Sequence, residues 1–222
     1  MKKITIVIDG PAGAGKSTVS QRLAQKLRYL YLNTGALYRA IALAAHQKNL
    51  PPQNSQKLYD FCCKARIEFK TIKGKQRVYL NGKDVTAHLY TAEMSLLASH
   101  YSKLPVVRKA LLWHQRKLGQ QGGIVAEGRD LGTVVFPKAE LKFFLVASLQ
   151  ERAKRRYLEL KEHSLPLTQI KREIQKRDQQ DQKRALAPLK KAKDAIEIDT
   201  TRLTIDQVVQ EMYKKFHEDY CS

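Results

Sequence analysis

The chain has 222 residues, 41 Lys and Arg against 21 Asp and Glu, a formal net charge of +20, and three cysteines. That length suits one large domain or a core with an inserted piece, and it can bury roughly 70–75% of the unfolded chain's surface without a disulfide or metal staple. The odd cysteine count (Cys62, Cys63, Cys221), with no zinc-like spacing, speaks against a disulfide framework and for reduced packing or surface thiols in a cytoplasm; no stretch approaches the ~18–20 apolar residues of a membrane span.

The basic start Met1-Lys2-Lys3 and the apolar run behind it do not read as a signal peptide, because the run stops at Asp9-Gly10. Residues 3–9, with the β-branched run Ile4-Thr5-Ile6-Val7-Ile8, predict a buried strand. Gly10-Pro11-Ala12-Gly13-Ala14-Gly15-Lys16-Ser17 follows and fits G-x-x-x-x-G-K-[ST]. Glycines let such a loop wrap phosphate oxygens in backbone conformations closed to other residues. Its N–H groups and the following helix N-terminus then face the anion. Lys16 adds a mobile positive charge, and the Ser17 hydroxyl is placed to ligate Mg²⁺. Residues 16–28 predict a helix, with Val19, Leu23 and Leu27 on one face.

Tyr29-Leu30-Tyr31-Leu32 predicts a second strand, and Asn33-Thr34-Gly35 a turn into a second helix that ends before Pro51-Pro52. Strand, loop, helix, strand, helix is a βαβα start, hence a parallel α/β sheet. The pattern then changes. Ala65 to Lys70 alternates polar and apolar, Arg77 to Leu80 is β-rich, and Lys73-Gly74 and Asn81-Gly82 supply turns. These predict a small antiparallel insert at about 64–90. Residues 91–121 read as helical, interrupted at Pro105.

Gly122-Gly123 breaks the helix, and Ile124-Val125-Ala126 predicts a third core strand leading into Glu127-Gly128-Arg129-Asp130. Residues 142–147 predict a fourth strand, 149–162 a basic helix, and Ser164-Leu165-Pro166 a loop. A helix over 168–184, a fifth strand over 195–199 and a closing helix over 204–218 complete the chain, without internal repeats.

The positive charge admits two partner classes, nucleic acid or a small polyanion such as a nucleotide. Residues 151–193 concentrate it, with 14 Lys or Arg against 6 Asp or Glu, but no helix-turn-helix, zinc-finger or aromatic RNA-binding signature accompanies it. The six histidines form no Ser/His/Asp or Cys/His constellation. Arg152, Arg155 and Arg156 share a helix face, which fits either a solvated basic helix or a set of phosphate ligands. Arg177, Asp181 and Arg184 stand at i, i+4 and i+7. By spacing they also fit an exposed salt-bridged face worth about 0.2–0.5 kcal/mol per pair.

Asn33-Thr34-Gly35-Ala36-Leu37-Tyr38-Arg39, Gly128-Arg129-Asp130-Leu131-Gly132-Thr133, Arg177-Asp178-x-x-Asp181-x-x-Arg184 with Ala187-Pro188-Leu189, and Asp194 to Thr201 together resemble the bacterial cytidylate kinase family. The resemblance covers nearly the whole chain in order. It implies the reaction MgATP + CMP (or dCMP) → ADP + CDP (or dCDP), within pyrimidine nucleotide metabolism. It also implies a P-loop kinase core at 1–63 and 91–222 with a five-stranded parallel sheet, a CMP-binding insert at 64–90 and a helical lid at about 151–167. An acceptor that is itself a phosphate needs no general base, so positioning and charge neutralisation carry such a reaction.

The resemblance further implies that Gly10 to Ser17, with Thr18, bind ATP, and that Lys16, Arg129, Arg152 and Arg156 carry catalysis. It places Thr34, Tyr38, Arg39 and Arg129 at the acceptor's base and phosphate. Arg108, Asp130 and Ser99 would read cytosine, where a carboxylate can accept from the exocyclic amine. Arg177 and Asp181 would hold the ribose, with Arg184 near phosphate. By their place at the end of the fifth strand, on the side where an α/β sheet binds ligands, Asp199 and Thr200-Thr201 would border the ATP base. ATP and CMP or dCMP are then the partners, with Mg²⁺ on Ser17 and, through water, on Asn33. No nucleic acid or membrane is implied, and a cytoplasmic monomer is expected. Two positions depart from the family: Asn33 and Glu127 each stand where Asp is usual. Two rivals stay open, another P-loop kinase acting on UMP or AMP, and a nucleic-acid-binding P-loop protein.

Overall fold

The computed structural model describes residues 3–72, 75–159 and 165–220. The turn at Lys73-Gly74, the loop residue Ser164, Cys221 and the middle of the expected lid (160–164) lie outside them. In chain order the elements are β1 (Thr5–Asp9), α1 (Lys16–Leu27), β2 (Leu30–Asn33), α2 (Thr34–Gln47), α3 (Gln56–Lys64), β3 (Ile67–Ile72), β4 (Lys75–Leu80) and β5 (Lys83–Asp84). Then come α4 (Ala92–Tyr101), α5 (Pro105–Gly119), β6 (Ile124–Glu127), β7 (Leu141–Val146), α6 (Leu149–Glu159), α7 (Leu167–Lys183), β8 (Ile196–Asp199) and α8 (Ile205–Tyr220).

The fold is α/β, and its five-stranded parallel sheet has the order β2-β6-β1-β7-β8. β1 is buried along its whole length, as a strand covered on both faces must be. It runs parallel to β6 and β7, and β7 runs parallel to β8. The register sets Ile8 beside Glu127 and Asp9 beside Phe144, so acidic residues and loop starts gather at the carboxyl ends of the strands. That edge is where parallel α/β sheets bind ligands. Ile6, Ile8, Leu23, Phe143, Leu145, Met212 and Phe216 form one core under α1 and α8. Each fully buried side chain of this size contributes about 1.5–3 kcal/mol.

Two compact units divide the chain. One comprises Met1–Tyr31 and Gln121–Ser222, and the other Leu32–Gln120. In the second, β3, β4 and β5 form an antiparallel three-stranded sheet. Asn81 and Gly82 both take positive φ at its second turn, as an Asn-Gly hairpin does. The expected insert at 64–90 encloses this sheet, which belongs to a larger unit with α2 to α5. Within it α2 packs on α4, and α3 on α5.

Two features were not expected from the sequence. Helix α3 was not anticipated; Ser55 caps it by accepting from the Leu58 N–H, and only Leu58 and Cys62 are buried, too sparse a pattern for periodicity to register. The interruption expected at Pro105 is present: residues 91–121 hold two helices, and Pro105 takes the first turn of α5, where its missing N–H costs nothing. Residues 131–135 form one π-helical turn inside the G-R-D-L-G-T segment. Cys62 is buried and Cys63 exposed, both free. Burial, then the neighbouring Cys63, pushes the Cys62 thiol up to about 12, which suits an unreactive packing residue.

Candidate active site

The glycine loop leaves β1 and enters α1, the context its motif requires. Gly10 has φ +146, and a Cβ there would lie 2.1 Å from the Leu145 carbonyl oxygen, so only glycine lets the chain pass β7. Gly13 has φ +75, and a Cβ there would meet the Arg152 side chain and backbone at 3.0 Å. The loop is therefore seated directly on α6. Lys16 folds back over it. Its side chain is buried and its Nζ donates to the Pro11 carbonyl at 2.6 Å. Burial, and then the nearby Arg129 charge, lower its pKa well below the usual lysine value. Thr18 is exposed at the first turn of α1.

Two buried acids stand at the carboxyl ends of the central strands. Glu127, 4% exposed at the end of β6, accepts from the Ser17 hydroxyl at 2.9 Å and from the Tyr31 hydroxyl through its other oxygen. Asp9, at the end of β1, accepts the N–H groups of Leu131 and Gly132 at 3.0 and 2.8 Å. Burial raises Asp9 to about 6 against those two hydrogen bonds. Asp9 and Tyr31 were missed as site residues. An acid that ends a strand and a tyrosine inside one carry no local mark of a site.

The G-R-D and R-D-x-x-D-x-x-R residues join in one network. Arg129 donates to the Gly10 carbonyl at 2.7 Å and through Nε to Asp181 at 3.0 Å. Arg184 donates to Asp130 at 3.0 Å, lies 3.7 Å from Asp181, and donates to the Ala187 carbonyl. Burial acts to raise the Asp181 pKa, but Arg129, Arg177 and Arg184 together outweigh it and hold that carboxyl below its usual range. Asp130, expected to read cytosine, has its carboxylate on Arg184.

The three arginines of α6 part company. Arg152 is buried; it donates through Nε to the Ala147 carbonyl, and through Nη1 to the Ala12 carbonyl and Asp178. Arg155 donates to Glu151, to the Thr200 hydroxyl and to the Thr200 carbonyl. Thr200 in turn donates to the Ala14 carbonyl at 3.3 Å, which ties the tail after β8 to the loop. Arg156 is partly exposed and meets Glu159 at 3.1 Å. Asp199 accepts from the Thr201 N–H and hydroxyl, and these bonds lower its pKa.

The remaining expected residues lie in the Leu32–Gln120 unit. Asn33 is buried and its side-chain oxygen accepts from the Ala36 N–H, capping α2. The Arg108 guanidinium lies 5.7 Å from the Tyr38 ring centre, and Arg39 5.5 Å from that of Tyr90, two cation–ring contacts. Thr34 is buried and Ser99 half-buried. Tyr90 was not anticipated; a lone exposed aromatic has no distinguishing sequence signal.

Among the described residues no group of three or more His, Cys, Asp or Glu could hold a metal ion. The donor set fits Mg²⁺ all the same, since this ion takes one or two protein oxygens with substrate phosphates and water. A hydroxyl held 2.9 Å from a buried carboxylate is such a pair.

A glycine loop after the central parallel strand, a buried lysine folded over it and a ring of paired arginines define a phosphate-loop nucleotide enzyme. A family model described as "Cytidylate kinase" matches residues 6–218. A cytidylate kinase of Syntrophotalea carbinolica is 50% identical over 213 residues, 95% of this chain and 91% of that protein. One of Caldicellulosiruptor bescii is 46% identical over 220 residues, 98% of this chain and 97% of that protein. The chain belongs to the cytidylate kinase family. Among solved structures, a gluconokinase from Sinorhizobium meliloti superposes with a TM-score of 0.52 at 14% identity, covering 97% of this chain and 93% of that one. An uncharacterized protein from Eubacterium ventriosum superposes with 0.53 at 13%, covering 98% and 99%. At those identities the likeness concerns the fold alone.

Proposed function

We propose that this chain is an ATP-dependent cytidylate kinase, which moves the γ-phosphoryl group of ATP to CMP or dCMP and releases ADP with CDP or dCDP. The observation that carries the reading is Arg129. Its guanidinium joins the first residue of the phosphate loop, Gly10, to Asp181 of the R-D-x-x-D-x-x-R helix. Two motifs far apart in the chain thereby meet at one loop, beside the buried Lys16.

The loop residues Gly10 to Thr18 hold the ATP phosphates, and Lys16 follows the charge that moves between them. Ser17, with Glu127 beside it, would hold Mg²⁺, which neutralises phosphate charge when bound; a water-linked part is assigned to Asn33. Arg129 and Arg156 face the transferring group. Arg156 is the α6 arginine whose contact within the helix, to Glu159, is an exposed one and weak. CMP recognition is assigned to Thr34, Tyr38, Arg39, Ser99 and Arg108, and to Arg129, Asp130, Arg177, Asp181 and Arg184. Residues 64–90 are assigned to the acceptor side, and 151–167 to the lid. The acceptor phosphate is already anionic near neutral pH, so no side chain has to remove a proton. No helix among the described residues is long and apolar enough to cross a membrane. A cytoplasmic monomer without nucleic-acid partners completes the proposal.

The test is ADP release measured with CMP, dCMP, UMP and AMP. A site built around the cytosine amine should favour CMP over UMP by at least about 10²-fold in kcat/KM. Equal values for CMP and UMP would overturn the acceptor assignment, and no turnover with any of the four would overturn the activity.

A further inference from the structure

Ala12 lies within the glycine loop, and both of its backbone polar groups are taken by side chains. Its N–H donates to Asp178 Oδ1 at 3.2 Å. Its carbonyl accepts from Arg152 Nη1 at 3.0 Å. Arg152 Nη1 also donates to Asp178 Oδ2, so the three residues close a ring. The partners are 166, 140 and 26 residues apart in sequence. Arg152 and Asp178 are both 8% exposed. Around the ring Ala12, Ala153, Ile170 and Ile174 pack as a small apolar cluster, with Leu149, Tyr157 and Leu165 against it.

The N–H and carbonyl of one residue belong to two different peptide planes. Holding both sets the φ and ψ of Ala12, and with them the planes on either side of it. Those planes lead into Gly13, the residue pressed on the Arg152 backbone. A loop that binds phosphate through oriented N–H groups is only as good as their orientation. The bonds are charge-assisted and shielded from water, which makes them the stronger kind. Arg152 is further restrained through Nε on Ala147. A guanidinium committed on three sides and buried is not a side chain that swings onto a phosphate.

We propose that Asp178 and Arg152 are positioning residues of the phosphate loop. The pair clamps Ala12 from both sides and pins the base of the α6–α7 hairpin to the loop, so Arg152 shapes the ATP site without touching the transferring group. The inference rests on the reading of residues 10–17 as the nucleotide loop.

Three measurements on the whole chain test it: amide hydrogen exchange at Ala12, calorimetric Kd values for ATP and for CMP, and the melting temperature. Two variants are compared. Asp178→Asn keeps the shape but leaves Arg152 without its counter-charge. The double variant Arg152→Met, Asp178→Leu removes both charges and keeps the hairpin apolar and packed, an exchange that buried ion pairs often tolerate. In both, the Ala12 amide should exchange about tenfold faster or more, since its acceptor is weakened or gone. The Kd for ATP should rise roughly tenfold, the scale of a slightly misplaced binding group. The Kd for CMP should stay within about twofold, and the double variant should melt near the wild type.

A double variant that melts near the wild type with ATP affinity and Ala12 exchange unchanged would overturn the proposal. So would equal losses of ATP and CMP affinity in step with melting temperature, which would make the pair a plain stability element. Wild-type protein that bound no ATP would overturn the nucleotide reading and this one together.

Discussion

The Ser17 hydroxyl donates to the Glu127 carboxylate at 2.9 Å, across 110 residues of sequence. The second oxygen of Glu127 is held by the Tyr31 hydroxyl, so the carboxylate is braced from both sides. Glu127→Gln keeps the shape and removes the charge. It is expected to lower activity by about 10–100-fold and to move Mg²⁺ activation to higher concentration, as loss of a group that orients a metal ligand does. Titrating Mg²⁺ at fixed ATP checks this; superimposable curves would place Glu127 outside the metal's reach.

Asn33 now has a defined local duty as the cap of α2. Asn33→Ala should destabilise the protein by about 1 kcal/mol, the usual cost of a lost N-cap, while Asn33→Asp should retain stability because Asp caps as well. Urea unfolding of the three proteins separates these outcomes. The second variant also isolates any metal effect. If Mg²⁺ activation shifts to lower concentration in Asn33→Asp at unchanged stability, the added charge acts on the metal.

Lys16 is buried, donates to Pro11 and has a depressed pKa. Burial therefore works against its charged form, a cost that function explains and folding does not. Lys16→Met should lower kcat by about 10²–10³-fold, as loss of a preorganised donor does. Its melting temperature should be no lower than the wild type's. Near wild-type turnover in the folded variant would remove the loop from the mechanism.

Asp9 links pH to stability. Its folded value of about 6 lies above the ordinary 3.8. Between these values the folded chain keeps a proton that the unfolded chain releases. The contribution of Asp9 to stability therefore falls as pH rises through that window. Asp9→Asn lacks this slope. The stability advantage of wild type over Asp9→Asn should be larger at about pH 4.5 than at pH 7. Chemical unfolding at both pH values measures it, and an equal advantage at both would show that Asp9 ionises normally.

Residues 4–18 show how far local chemistry reaches. An apolar β-branched run, glycines at the loop's positive φ values and an amphipathic helix make the same demand on neighbouring residues, so strand, phosphate loop and helix were legible without any tertiary information. The parallel α/β class followed from element order. Arg177, Asp181 and Arg184 were ambiguous, because a salt-bridged helix face and a ligand site share the same spacing. What the spacing does not show is Arg129, 52 residues from Asp181, which joins the helix to Gly10. Asp178 offered even less, since nothing near it in sequence indicates Ala12 or Arg152. Hydrogen-bond donors and acceptors in such rings gain their worth from burial and from exact geometry, which no local pattern encodes. Only the packing of α6 and α7 against the loop brings Arg152 and Asp178 onto the two sides of one alanine.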